Sequence, residues 1–242
     1  MSMRYKGAVL SATAPTTSSS SAVGIWTMRQ QLQAVGGTGW PAYVPPPPAI
    51  GSAYGGGYYA GRINVSGTLY NLVVAPKATG ENSSRSWGTN GTTTGITSVI
   101  NGPTNSAALA ALGASYQAAV FCEGLTIGGY SDWYLPAINE IEVLYYFLKP
   151  STDLNSTGYG SNANAYSPEP VSQNYTSGSP AQTSAGIGFR LGETNAFVAA
   201  SYWSSTEFDS TDAYRKGFYN GDQYQNTKSV TIYVRAVRRV PV

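Results

Sequence analysis

The residues of this chain that could do chemistry are few, and their types limit what that chemistry would be. Asp132 and Glu140 stand eight residues apart across a helix start, and Glu207 follows Ser204-Ser205-Thr206. Paired carboxylates can serve as general acid and base on a glycosidic bond when they face each other across a cleft at about 5 to 10 Å. The local context reads otherwise. Asp132 is placed to cap the helix region, Glu140 to join a buried hydrogen-bond network, and Glu207 to accept backbone donors in a tight turn. The chain contains no histidine, which removes the commonest general base and every Ser-His or Cys-His nucleophile. The single Cys122 follows Ala118-Ala119-Val120-Phe121, the setting of a small buried hydrophobe with no partner for a disulfide or a zinc site. Calcium needs about six oxygen ligands in close array, and Asp209, Asp212 and Asp222 are too few and too spread to supply them. The expectation is no catalytic residue, no metal and no cofactor.

The stretch from Phe208 to Tyr233 carries a different kind of information. Aromatic bulk at Phe208, Tyr214, Phe218, Tyr219 and Tyr224 alternates with Asp, Asn, Gln and Arg. Tyrosine supplies contact area at low entropic cost, and short polar residues supply adaptable hydrogen bonds, as in an antibody paratope. Asn220-Gly221 signals a tight turn. The candidate recognition contacts are Phe208, Asp209, Asp212, Tyr214, Arg215, Tyr219, Asn220, Asp222, Gln223, Tyr224, Gln225 and Asn226.

These residues must be held by surrounding elements, and two helices are legible. Asn105 to Cys122 reads as the first, capped by Asn105 or Ser106, with Gly113 as a point of breakage. Pro136 to Leu148 is the second: proline suits its first turn, Ile138, Ile141, Leu144, Tyr145 and Leu148 share one face, and Pro150 ends it. Thr68 to Ala75 and Val230 to Arg235 read as strands, while Ser52 to Gly61 is expected to be irregular. Arg235, Arg238 and Arg239 are expected to cover a sheet face. A polar insertion runs from Ser151 to Gln182 and could join the recognition surface. Dispersed strands and helices without a βαβ repeat give an α+β class.

Residues 1–50 are expected to form an extended arm, with a Ser/Thr linker at Pro15 to Ser21, a short amphipathic helix over Ile25 to Val35 and polyproline II at Pro45 to Pro48. Residues 51–242 form the domain. A net charge of +2 without a basic stripe excludes a nucleic-acid partner. No stretch approaches the roughly 18 apolar residues of a membrane span, and Gly7 to Ala14 is too weakly apolar for a signal peptide. Asn64, Asn82, Asn90, Asn155 and Asn174 open Asn-x-Ser/Thr triplets, which chance explains in a chain so rich in these residues.

Asp132-Trp133-Tyr134-Leu135-Pro136 with Glu140, then Tyr202-Trp203-Ser204-Ser205-Thr206-Glu207, then Val234-Arg235-Ala236-Val237-Arg238 occur in that order. Together they resemble the signatures of the C-terminal domain of a collagen-like bacterial adhesin, a family also found in phage tail and virion proteins. The resemblance implies a C-type-lectin-like domain with two helices and a twisted antiparallel sheet, and core positions for Trp133 and Trp203. It extends to variable phage adhesins, whose diversified segment corresponds to Phe208–Tyr233. Gly24-Ile25-Trp26-Thr27-Met28 and Gly39-Trp40-Pro41 resemble motifs of phage tail proteins. The implied protein is a virion component. Its arm binds other virion proteins, its domain binds a host-surface glycan or protein without catalysis, and a homo-oligomer is expected, with a trimer favoured. The alternative is a purely structural capsid or tail decoration protein. An enzyme resembling formylglycine-generating relatives is disfavoured, because Cys122 has no partner cysteine.

Overall fold

The computed structural model describes residues 47–165, 173–185 and 188–242, together with the antiparallel strand pair β1 (Thr17–Ser18) and β2 (Ser21–Ala22). The chain divides into two compact units, Met1–Pro46 and Pro47–Val242. Of the first unit only β1 and β2 are described; the helix expected over Ile25–Val35 lies outside the described residues.

In the second unit, β3 (Ala53–Tyr54) and β4 (Gly57–Val65) form where irregular chain was expected. The glycines that argued against a strand serve its turns and its bulge instead. Ser66 and Gly67 both take positive φ, as a two-residue hairpin turn demands, and join β4 to β5 (Thr68–Val74). Asn64 Oδ1 accepts the Gly67 N–H at 2.8 Å. Gly61 (φ +122°) marks a bulge in β4, and a Cβ there would stand 2.6 Å from Val143. Glycine is what lets the later helix that carries Val143 lie this close.

After one turn of helix, α1 (Lys77–Gly80), come β6 (Glu81–Ser86), α2 (Gly102–Ala111) and α3 (Gln117–Glu123). The single helix expected over Asn105–Cys122 is therefore two. Gly113 at φ +109° sits in the break, a conformation that side chains resist. The helix also starts earlier than expected, with Pro103 in its first turn. The residues expected to cap it, Asn105 and Ser106, are buried within it. Asn105 donates to Ser98 O at 2.6 Å, and Ser106 Oγ accepts the Leu135 N–H at 2.9 Å.

Helix α4 (Ile138–Leu148) starts two residues later than expected, leaving Pro136 before its first turn, and Ile138, Ile141, Leu144, Tyr145 and Leu148 are all buried as expected. Each such side chain contributes about 1.5–3 kcal/mol on burial. The described helices thus number four rather than two.

Strands β7 (Ser201–Glu207), β8 (Asp212–Gly217), β9 (Gln223–Thr227), β10 (Thr231–Arg235) and β11 (Val237–Pro241) complete the unit. They do not form one antiparallel sheet. One sheet has the order β6-β10-β7-β8-β9 and the other β11-β5-β4-β3. Within the first, β10 pairs with β7 in parallel, Tyr233 opposite Tyr202. The chain changes sheets at buried Ala236, whose N–H donates to Gly80 O and whose carbonyl accepts the Ala75 N–H. Arg235-Ala236-Val237 contains neither proline nor glycine, so nothing in the pattern announces the switch.

Two apolar clusters fill the unit. One packs α4 against β4, β5, Phe197, Tyr202 and Phe218. The other gathers Trp87, Trp133 and Trp203 with Leu109 and Cys122. The core positions expected for Trp133, Trp203 and Cys122 are thus confirmed. Burial pushes the Cys122 thiol far above its ordinary value, which leaves it inert.

Candidate functional site

The three sequence motifs converge on one clamp. Tyr134 and Val237 exchange backbone hydrogen bonds at 2.8 and 3.0 Å, and the Ser205 N–H donates to Pro136 O at 2.8 Å. The Ile138 N–H donates to Thr206 Oγ1 at 3.1 Å. Trp203 Nε1 reaches Arg85 O at 3.0 Å.

Glu140 and Glu207 are held inside this clamp, and Asp132 pairs with Arg238 at its exposed margin. Glu140 is fully buried, accepting from Tyr134 Oη at 2.9 Å and the Ala137 N–H at 2.8 Å. Burial raises it to about 7 against the opposing influence of Arg239. The expected buried network is therefore present. Asp132 caps no helix. Its two oxygens accept from Arg238 at 2.7 and 2.8 Å, and hydrogen bonding to that guanidinium holds the carboxyl below its ordinary value. Glu207 sits in β7 rather than a turn, and the backbone donors it satisfies belong to a distant loop. It accepts from Thr94 and Gly95 N–H, and from Lys228 Nζ at 2.6 Å. Burial alone would raise its carboxyl, but Lys228 and these N–H groups hold it low. Each of these carboxylates is thus committed to a structural partner.

The three arginines expected to cover a sheet face are internal ties instead. Arg235 is fully buried, donating to Ala75 O and pairing with Glu81 at 3.0 Å. Arg238 lies 3.8 Å from the centre of the Tyr130 ring. Arg239 donates to Asn101 Oδ1 at 2.9 Å. Arg235 lies on β10, whereas the consecutive Arg238 and Arg239 lie on β11 beyond the sheet switch, so the three do not share one face.

Beyond the clamp, β8 and β9 form a hairpin with Asp212 opposite Thr227, Ala213 opposite Asn226, Tyr214 opposite Gln225, Arg215 opposite Tyr224 and Lys216 opposite Gln223. Its candidate residues fall into two groups rather than one tip. Phe208 and Asp209 belong to the turn entering β8, where Asp209 Oδ1 accepts the Thr211 and Asp212 N–H groups. Tyr219, Asn220 and Asp222 belong to the loop leaving β8, and six strand residues at about 3.4 Å each separate the two ends.

At the loop end a local network fixes the surface. Asp222, itself buried, accepts from Arg215 Nη1 at 2.5 Å and Tyr219 Oη at 2.9 Å, and its N–H donates to Asn220 Oδ1 at 3.0 Å. Burial and the neighbouring Asp222 raise the Tyr219 hydroxyl. Arg215 lies 5.5 Å from the Tyr224 ring centre, and Tyr159 meets Tyr224 edge-on at 5.5 Å. Tyr159 and Ser156, whose N–H donates to Asn220 O at 2.8 Å, bring the 151–182 insertion to this end. Neither residue was singled out individually by the sequence; the tyrosine-bearing polar insertion was the available signal.

Below, Lys216 is buried and pairs with Glu142 of α4, with Tyr145 and Tyr175 rings 5.0 and 5.1 Å away. Burial pushes the lysine down and the glutamate up, each countered by the other. Lys216 Nζ also donates to Gly221 O at 2.7 Å, so the loop is anchored from beneath.

Phe208 and Tyr224 stay about half exposed, at 47% and 50%, and Asp209 is exposed. Asp212, Arg215, Tyr219, Asn220, Gln223, Gln225 and Asn226 are intermediate. Tyr214 is partly buried against the α4 core, its ring meeting Phe208 edge-on at 5.3 Å. Pockets of about 510 and 580 Å³ meet at Ala49 and Ile50, and neither is lined by a residue of 208–226. Among the described residues no group of three or more His, Cys, Asp or Glu is arranged to hold a metal, and no helix is long and apolar enough to cross a membrane.

The fold and its clamp define a mixed α+β domain that presents a braced aromatic hairpin. The Lcl C-terminal domain family matches residues 79–238, and the chain belongs to that family. The match confirms the resemblance carried by the three motifs, all of which lie within it. No curated protein matches the chain.

Proposed function

We propose that this adhesin-like domain is the receptor-binding end of a phage virion protein, associated with a tail or fibre, and that it binds a host-surface glycan or protein without making or breaking bonds. The observation that carries this reading is the state of Tyr224: half exposed, yet backed by Arg215, Tyr159 and the buried Asp222. A large aromatic group presented on a preorganised surface is the physical form of a binding hot spot. The clamp carboxylates support the absence of catalysis, since Glu140 and Glu207 are buried with their oxygens engaged. In this reading residues 1–50 attach the domain to other virion proteins, and the assembly is a homo-oligomer, a trimer being favoured. The test is competition. Added full-length protein is expected to block phage adsorption to host cells in a saturable manner, with no product released from the receptor. Absence of competition, combined with imaging that places the domain packed between other virion proteins, would instead establish the structural decoration reading.

A further inference from the structure

The sequence contains three Asn-Gly pairs, Asn90-Gly91, Asn101-Gly102 and Asn220-Gly221. Such pairs are open to one spontaneous reaction. The glycine backbone nitrogen attacks the asparagine Cγ, ammonia leaves, and a five-membered imide forms; water then opens the imide to aspartyl or isoaspartyl. The attack needs a backbone nitrogen free of other engagement, a side-chain amide free to rotate, and room for the backbone to bend.

The fold denies these conditions to two of the pairs. The Gly102 N–H is held by the Glu140 carboxylate, while Asn101 Oδ1 accepts from Arg239. Gly102 is buried so closely that an added Cβ would lie 2.1 Å from Glu140. At the second pair, the Gly221 N–H donates to Gly217 O at 2.8 Å and Asn220 Oδ1 accepts from Asp222. Tyr145 and Tyr175 cover Gly221, whose added Cβ would lie 2.4 Å from the Tyr145 ring.

The third pair meets all three conditions. Asn90 and Gly91 are exposed in a turn, Gly91 takes φ +78°, and an added Cβ there would meet nothing within 4 Å. Among the described residues neither the Asn90 amide nor the Gly91 N–H has a hydrogen-bond partner. The flanking loop is tied down close by, Thr92 O accepting from Lys228 and the Thr94 and Gly95 N–H groups donating to Glu207. The turn thus remains free while its base is fixed.

We propose that Asn90 is the domain's site of spontaneous deamidation, with water as the co-reactant and ammonia as the leaving group. The product places a new carboxylate on the loop that Glu207 and Lys228 fasten to β7. To test this, the full-length protein is incubated at mildly alkaline pH, folded and in urea, and mapped by peptide mass spectrometry. In the folded protein the amide-to-acid mass increment and the isoaspartyl isomer are expected at Asn90 well before Asn101 or Asn220, accompanied by an acidic isoform that Asn90→Gln abolishes. In urea all three sites are expected to react at comparable rates. Comparable rates in the folded protein, precedence of Asn101 or Asn220, or an Asn90 that reacts only when unfolded would each overturn the assignment.

Discussion

Arg238 and Arg215 each meet a carboxylate and an aromatic ring, but across very different stretches of chain. Arg238 joins Asp132 over 106 positions of sequence, whereas Arg215 joins Asp222 over seven. The same division runs through both regions. In the clamp, Trp203 and Arg235 reach partners more than a hundred positions away and are fully buried. On the hairpin, the Arg215–Tyr219–Asp222 network closes on itself and leaves Tyr224 outside. Long-range ties hold the fold; local ties hold the shape of a surface. Substitutions should therefore separate stability from binding.

The largest effect is expected in the clamp. Trp203→Ala empties a fully buried site and removes the donor to Arg85 O, at a loss of about 4 kcal/mol in denaturant unfolding. Glu142→Ala probes the one charged tie between the hairpin and α4. It strands Lys216 in the interior and is expected to cost about 3 kcal/mol. Near-wild-type stability for either variant would erase the distinction between the regions.

Glu140 sharpens the comparison through pH. Burial raises it from 4.5 to about 7, so its stabilising protonated form is complete below the unfolded value and is lost as pH rises through about 7. Relative to Glu140→Gln, the parent protein should lose stability across that window. The change should approach about 3 kcal/mol, since each tenfold change in proton affinity corresponds to about 1.4 kcal/mol. Parallel stability-versus-pH curves would show that the carboxyl does not titrate there. Asp132 has the opposite sign: held low by Arg238, it contributes above the unfolded value and fades as pH falls.

How much of this was legible in the sequence follows the same division. The burial of the motif tryptophans was expected from their place inside the signatures, and α4 announced itself through its one-sided spacing. The break at Gly113 was visible, but the helix start was not, because Asn105 and Ser106 look like caps and act as interior ties. The sheet switch at Ala236 and the partner of Asp132 depend on contacts between distant segments, which no local pattern encodes. The hairpin was legible as a composition, aromatic and polar together. Its division into two ends was not, since strand register decides which residues meet. Tyr159 entered only because the insertion folds back onto Asn220.

The smallest expected change in stability accompanies the largest expected change in binding. Tyr224→Ala removes a half-exposed ring whose contacts are Arg215 and Tyr159 rather than the clamp, so unfolding should shift by only about 1 kcal/mol. Adsorption of the full-length variant to host cells, measured beside its unfolding curve, addresses the central claim directly. The account predicts binding weakened at least about tenfold, the order of a 1.4 kcal/mol loss, with the fold intact. Undiminished adsorption by that folded variant would contradict it.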